Sequence, residues 1–151
     1  MSDAQDKELR ALQAALAAEH AAVYGYGVVG GRIGEREART AYDAHRARRD
    51  ALVRDVKDVG GTPVAAAAGY ALPFPVPDAA AAVRLAAELE MRVAGVYADL
   101  VRSSGGERRR SAAEAMREAA VRSVRWSGES VAFPGLAERS GTAPGGPAPA
   151  P

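Results

Sequence analysis

Thr62-Pro-Val-Ala-Ala-Ala-Ala-Gly-Tyr-Ala-Leu-Pro-Phe-Pro-Val-Pro77 separates two pairs of helix-forming segments, and its length decides how they can be joined. Its four prolines, at 63, 73, 75 and 77, lack backbone donors and fix φ, so no helix runs through it. Working outward, Leu9, Leu12, Leu16, Val23 and Tyr26 recur at helical spacing and predict a first helix over about 6–30, stopped by Gly30-Gly31. Ala38, Tyr42, Leu52, Val56 and Val59 predict a second over about 35–59, ending at Gly60-Gly61. Asp78 is a good N-cap for a third, which follows Val83, Ala86, Val93, Tyr97 and Leu100 and stops within 103–106. Ala112, Met116, Ala120 and Val124 predict a fourth over about 107–130. Residues 139–151, rich in Pro, Ala and Gly, cannot build a core and read as a disordered tail to a single domain over 1–138.

The links inside each pair are about five residues, which makes each pair an antiparallel hairpin. A helix of 25 residues is about 37 Å long, whereas the link at 60–77 spans about 55 Å when extended. It can cross the whole bundle and set helix three parallel to helix two. Short, long, short is the link order of a ferritin-like four-helix bundle rather than an up-down one.

Composition agrees with an all-α fold. Of 151 residues, 36 are Ala and only 5% are aromatic, which favours closely packed helices over sheets. The 20 Lys+Arg and 19 Asp+Glu nearly cancel, so charge points to neither nucleic acid nor anionic lipid. No Cys excludes disulfides and thiolate metal sites. No apolar stretch is long enough for a membrane span. The acidic start, Met1-Ser-Asp-Ala-Gln-Asp-Lys-Glu8, lacks the pattern of a signal peptide, so the expected location is cytoplasmic.

The apolar stripes are interrupted by charge at chosen places. Glu19 falls on the seam of helix one, His45 and Arg49 on that of helix two, and Glu90 on that of helix three. All four lie near the midpoints of their helices, so Glu19, His45, Arg49 and Glu90 are expected to meet at mid-height. Helix four offers Met116, Ala119, Ala120 and Ser123 there, with Glu118 facing outward. Two readings stay open. Glu19, His45 and Glu90 are ligands suited to one Fe, Mn or Zn ion. Alternatively, Arg49 bridges both glutamates and His45 completes a buried network without metal or other cofactor. Charge favours the network, since two carboxylates, Arg49 and a protonated His45 sum to zero.

Gly25-Tyr-Gly27-Val-Val-Gly30 matches G-x-G-x-x-G, but it sits in a helix with no preceding strand, so close helix packing explains it better than a nucleotide. His20 is read as an interhelical or surface histidine and Trp126 as a cap on the core. Apart from Arg49, the Arg clusters at 46–49 and 108–110 alternate with acids and read as solvated faces. Tyr70 to Pro77 is expected to lay its aromatics over one bundle end. No nucleophile with an adjacent base and no phosphate loop appears, so the sequence gives no catalytic residue.

Four segments together carry a resemblance. Ala17-Ala-Glu19-His20-Ala-Ala-Val-Tyr24, His45-Arg-Ala-Arg-Arg-Asp50, Tyr70-Ala-Leu-Pro-Phe-Pro75 and Phe133-Pro-Gly-Leu136 resemble, in order, the ferritin-like domain family of unknown function found in actinobacteria. The resemblance spans about 7–137 and implies the ferritin-like bundle but no activity. Ferritin-like proteins carry a lone glutamate on two helices and Glu-x-x-His on the other two. Glu19 and Glu90 match the lone glutamates and His45 the histidine of helix two. Tyr42 stands where the glutamate of helix two belongs, and helix four has no histidine. Three of six ligands remain, too few for di-iron chemistry. The resemblance, with alanines on several faces, also implies an isologous homodimer. A protein partner of unknown kind fits a bundle kept for interaction.

Overall fold

The computed structural model describes residues 1–128; the tail at 139–151 and the last turn expected of helix four lie outside the described residues. Four helices follow one another: α1 (Asp3–Ile33), α2 (Arg36–Asp58), α3 (Ala79–Ser103) and α4 (Gly106–Ser127), with no strand among the described residues. Each boundary has a local cause. Ser2 and Gln5 form a reciprocal capping box that starts α1 earlier than the apolar stripe alone suggests. Asp78 accepts from the Ala81 amide at 2.8 Å and starts α3 where expected. Helix α1 does not stop at Gly30-Gly31; it continues to Gly34, whose φ of 55° ends it. Val29 is fully buried and Ile33 packs on the same apolar cluster, so burial on the last turn outweighs the glycines' poor propensity.

Helix α1 packs against α2 and α3, and α3 against α4. Direction follows from two hydrogen bonds: the Tyr26 hydroxyl donates to Glu90, and the Tyr97 hydroxyl to Glu19. The lower number on α1 meets the higher number on α3, so the two are antiparallel. The short 34–35 turn makes α1 and α2 antiparallel as well. Helices α2 and α3 are therefore parallel, as the link length allows.

That link lies along one face of α1. Gln13 donates to the Thr62 carbonyl at 2.6 Å and accepts from the Val64 amide at 2.9 Å. His20 Nε2 donates to the Val64 carbonyl at 3.0 Å, which settles its place outside the core. Higher up, Tyr24 packs on Tyr70 and Arg32 donates to the Val76 carbonyl. Phe74 and Leu72 lie half-buried against the bundle end, with Val76 buried. Gly61 at the start packs closely on α1: a Cβ there would stand 2.5 Å from the Leu9 methyl, which would have to move.

The core divides in two. One cluster holds Leu12, Leu16, Leu52, Val56, Tyr97, Leu100 and Ala112; the other holds Tyr26, Val29, Ala38, Leu85, Leu89 and Trp126. On α2, α3 and α4 a polar position separates the two clusters: His45, Glu90 and the Arg122–Ser123 pair; on α1 the first cluster runs past Glu19 to Ala22 before Tyr26 begins the second. Helix α4 differs from its sequence reading. Its buried stripe is Ala112, Ala115, Ala119, Ser123 and Trp126, while Val124 is 38% exposed. The smallest side chains face α3, and the stripe turns by one position so that Trp126 enters the core.

Candidate functional site

Glu19, His45 and Glu90 meet at mid-height, each 0% exposed. His45 is held between the two carboxylates: Nδ1 lies 2.5 Å from Glu19 Oε2 and Nε2 lies 2.9 Å from Glu90 Oε1. The other oxygen of Glu19 accepts from the Tyr97 hydroxyl at 2.6 Å. Glu90 Oε1 also accepts from the Tyr26 hydroxyl at 2.6 Å and from Arg122 Nε at 2.8 Å. Trp126 Nε1 donates to the Tyr26 oxygen at 2.9 Å, and the Tyr26 ring stacks on His45 at 5.4 Å. All four helices contribute.

Arg49 is not part of this network. It pairs with Asp50 at 2.9 Å and keeps 26% of its side chain exposed. Four residues after His45, it stands at the edge of the α2 stripe rather than within it, and its long side chain turns to the neighbouring carboxylate. Arg122 of α4 supplies the guanidinium instead, pairing with Glu90 alone rather than bridging both glutamates, with 16% exposure. The sequence reading missed Arg122 because it ran the α4 stripe through Met116 and Ala120. Anchoring the stripe on Trp126 would have placed Arg122 on its flank. A second signal was in view: Tyr26 and Tyr97 each stand seven residues after a glutamate, and each donates to the glutamate of the other helix. Glu118 does face outward and pairs there with Arg48 at 2.9 Å.

Burial alone would lower the pKa of His45, but hydrogen bonds to Glu19 and Glu90 and their charges outweigh it and push the ring up to about 9. Burial likewise works against an ionised Glu90, yet His45, then Arg122, hold its carboxyl below the usual range. Burial and the adjacent carboxylates raise both Tyr26 and Tyr97, which stay protonated donors. An imidazolium, a guanidinium and two carboxylates sum to zero.

Glu19, His45 and Glu90 are the right residue types for a metal, but their arrangement does not fit one. Both ring nitrogens already face carboxylate oxygens at hydrogen-bond distance, leaving no imidazole lone pair for a cation. Arg122 brings a second positive charge to Glu90. Among the described residues no three carboxylate or imidazole groups converge as metal ligands do. One atom is left over: Glu90 Oε2 is buried and takes no hydrogen bond among the described residues.

The profile of a domain of unknown function, DUF4439, matches residues 11–138. The chain belongs to the DUF4439 family. The family match contains all four helices apart from the first turns of α1, and thus every residue of the buried network. The chain is also similar to a solved structure, a conserved hypothetical protein, rv2844, from Mycobacterium tuberculosis. The two are 38% identical and superpose with a TM-score of 0.78, covering 80% of this chain and 95% of that one. No curated protein matches the chain. The family thus comes with a fold and without an assigned activity. Among the described residues no helix is long and apolar enough to cross a membrane.

Proposed function

We propose that this DUF4439 chain is a non-enzymatic structural or interaction bundle of ferritin-like type, in which a proton-based network occupies the place of a metal site. The observation that carries this reading is His45, protonated and held on both sides by buried carboxylates. The parallel α2 and α3 with their long link support the ferritin-like relationship. Tyr26, Tyr97 and Trp126 are donors to oxygen, not nucleophiles or bases, so the network stabilises and orients without transferring a group. A homodimer, or a complex with another protein, is the form in which such a bundle acts. A cytoplasmic location belongs to the same proposal.

A single Fe, Mn or Zn ion on Glu19, His45 and Glu90 is the rival, with one observation on its side: the unpartnered Glu90 Oε2. Elemental analysis of protein purified without chelator, with thermal unfolding in added Fe²⁺, Mn²⁺ and Zn²⁺, separates the two. Metal-free protein whose Tm ignores each cation is expected, because a tight native-state ligand must stabilise the fold. Near-stoichiometric metal that disappears in His45→Ala would overturn the proposal.

A further inference from the structure

Beside the buried network, between the end of α1 and the start of α2, lies an open cleft of about 610 Å³. Its floor on α1 includes Gly27 and Gly30. Glycine is the weakest helix former after proline, so glycines inside a helix call for a reason. Gly25 has one: a Cβ there would press to 2.4 Å of Leu89, so the absent side chain lets α3 approach. Gly27 and Gly30 have none among the described residues, because a Cβ at either would meet nothing there within 4 Å. What they leave free is the cleft. Half-buried Tyr42 adds aromatic surface, with the Arg46 guanidinium over its ring at 5.7 Å, while Tyr26 borders the cleft but is buried. Arg36 and Arg39 also line the cleft, and neither has an ion-pair partner among the described residues. Against these three guanidiniums stand Glu35 and Asp43, so the lining is cationic by one charge.

We propose that this cleft binds a small planar anion, an aromatic ring system carrying a carboxylate, sulfonate or phosphate. The volume falls in the range of small-molecule sites. Tyr42 suits a flat ring, unpaired guanidiniums suit an oxyanion, and glycines let the ring lie against the α1 backbone. The binding site is linked to the core, since Tyr26 both lines the cleft and donates to Glu90. A second copy of the chain set symmetrically here is disfavoured, because it would bring a lining of the same net positive charge against this one. The proposal does not depend on whether the core network holds a metal.

The probe is 8-anilinonaphthalene-1-sulfonate, a planar aromatic anion whose emission rises in an apolar site. Trp126, the only tryptophan and bonded to Tyr26, is the energy-transfer donor that reports proximity to this cleft. The full-length protein is expected to bind it with a rise in dye emission and quenching of Trp126. Gly30→Leu fills the floor and should weaken binding by about tenfold or more with the Tm unchanged or raised. Arg39→Glu, at an exposed position that leaves the helix intact, should weaken it by about tenfold as well. Absence of binding, binding without Trp126 quenching, or equal affinity in the wild type and both variants would overturn the proposal. Loss in Arg39→Glu alone, with Gly30→Leu folded and binding normally, would overturn the placement over the glycines.

Discussion

The apolar clusters and the polar layer between them are buried to the same degree yet specified in different ways. In the clusters, Leu12, Leu16, Leu85 and Val56 need only fill space, and neighbouring alanines can adjust to them. In the layer, each group has a named partner at a fixed distance, so position matters more than volume. The clusters supply most of the apolar burial; the layer fixes which helix faces which. Tyr26 and Tyr97 reach across the α1–α3 pair to opposite glutamates, an arrangement that only an antiparallel pair in this register allows.

The largest effect is expected where the layer is broken on one side. Glu90→Ala leaves His45 and Arg122 charged and Tyr26 without its acceptor, and should cost about 3–5 kcal/mol in urea unfolding. Leu16→Ala, in the cluster alongside, should cost about 2–5 kcal/mol, set by how far the surrounding alanines can collapse. Replacing Glu19, His45, Glu90 and Arg122 together with leucine or methionine should restore much of the stability lost in Glu90→Ala. A quadruple variant less stable than Glu90→Ala would show that the layer contributes more than the pairing of its charges.

Next comes pH. His45 is raised to about 9 from an ordinary 6.5, so its stabilisation is complete below about pH 6.5 and is lost as pH climbs through 9. That loss is worth roughly 3 kcal/mol. Glu90 is lowered, so its contribution is present above the ordinary carboxyl value and disappears in acid. Unfolding free energies measured from pH 4 to 10 should therefore fall on both sides of a plateau near pH 5–6.5. In His45→Gln the alkaline fall should vanish.

Smaller effects test individual donors. Tyr97→Phe and Tyr26→Phe should each cost about 1–3 kcal/mol, because a buried carboxylate oxygen loses a donor. Smallest of all is Arg49→Ala, expected within about 0.5 kcal/mol by chemical denaturation, since its pair with Asp50 is exposed. Arg122→Ala should exceed it clearly.

Glu19, His45 and Glu90 were legible in the sequence because each replaces an apolar residue in a regular 3–4 stripe near a helix midpoint. The link was legible because chain length alone restricts where helix three can start. Arg49 rather than Arg122 reads as the network's cation in the sequence for a physical reason: an arginine at a stripe's edge can turn inward or outward, and only its neighbours decide. Arg49 has Asp50 beside it; Arg122 has Glu90 across the helix interface. The α4 stripe was misread because alanine fills both the inner and the flanking positions, so hydrophobicity barely separates Ala119 from Ala120. The role of Tyr26 and Tyr97 was missed because a tyrosine on an apolar stripe reads as a ring, while its hydroxyl is what the glutamates require.

The account stands on His45 being an imidazolium clamped by two carboxylates. Its imidazole ¹⁵N resonances, followed by NMR from pH 6 to 10, test this most directly. The prediction is two protonated ring nitrogens at pH 7.5, deprotonation near pH 9, and spectra unchanged by stoichiometric Zn²⁺. A neutral ring at pH 7.5, or a ring nitrogen shifted by the metal, would contradict it.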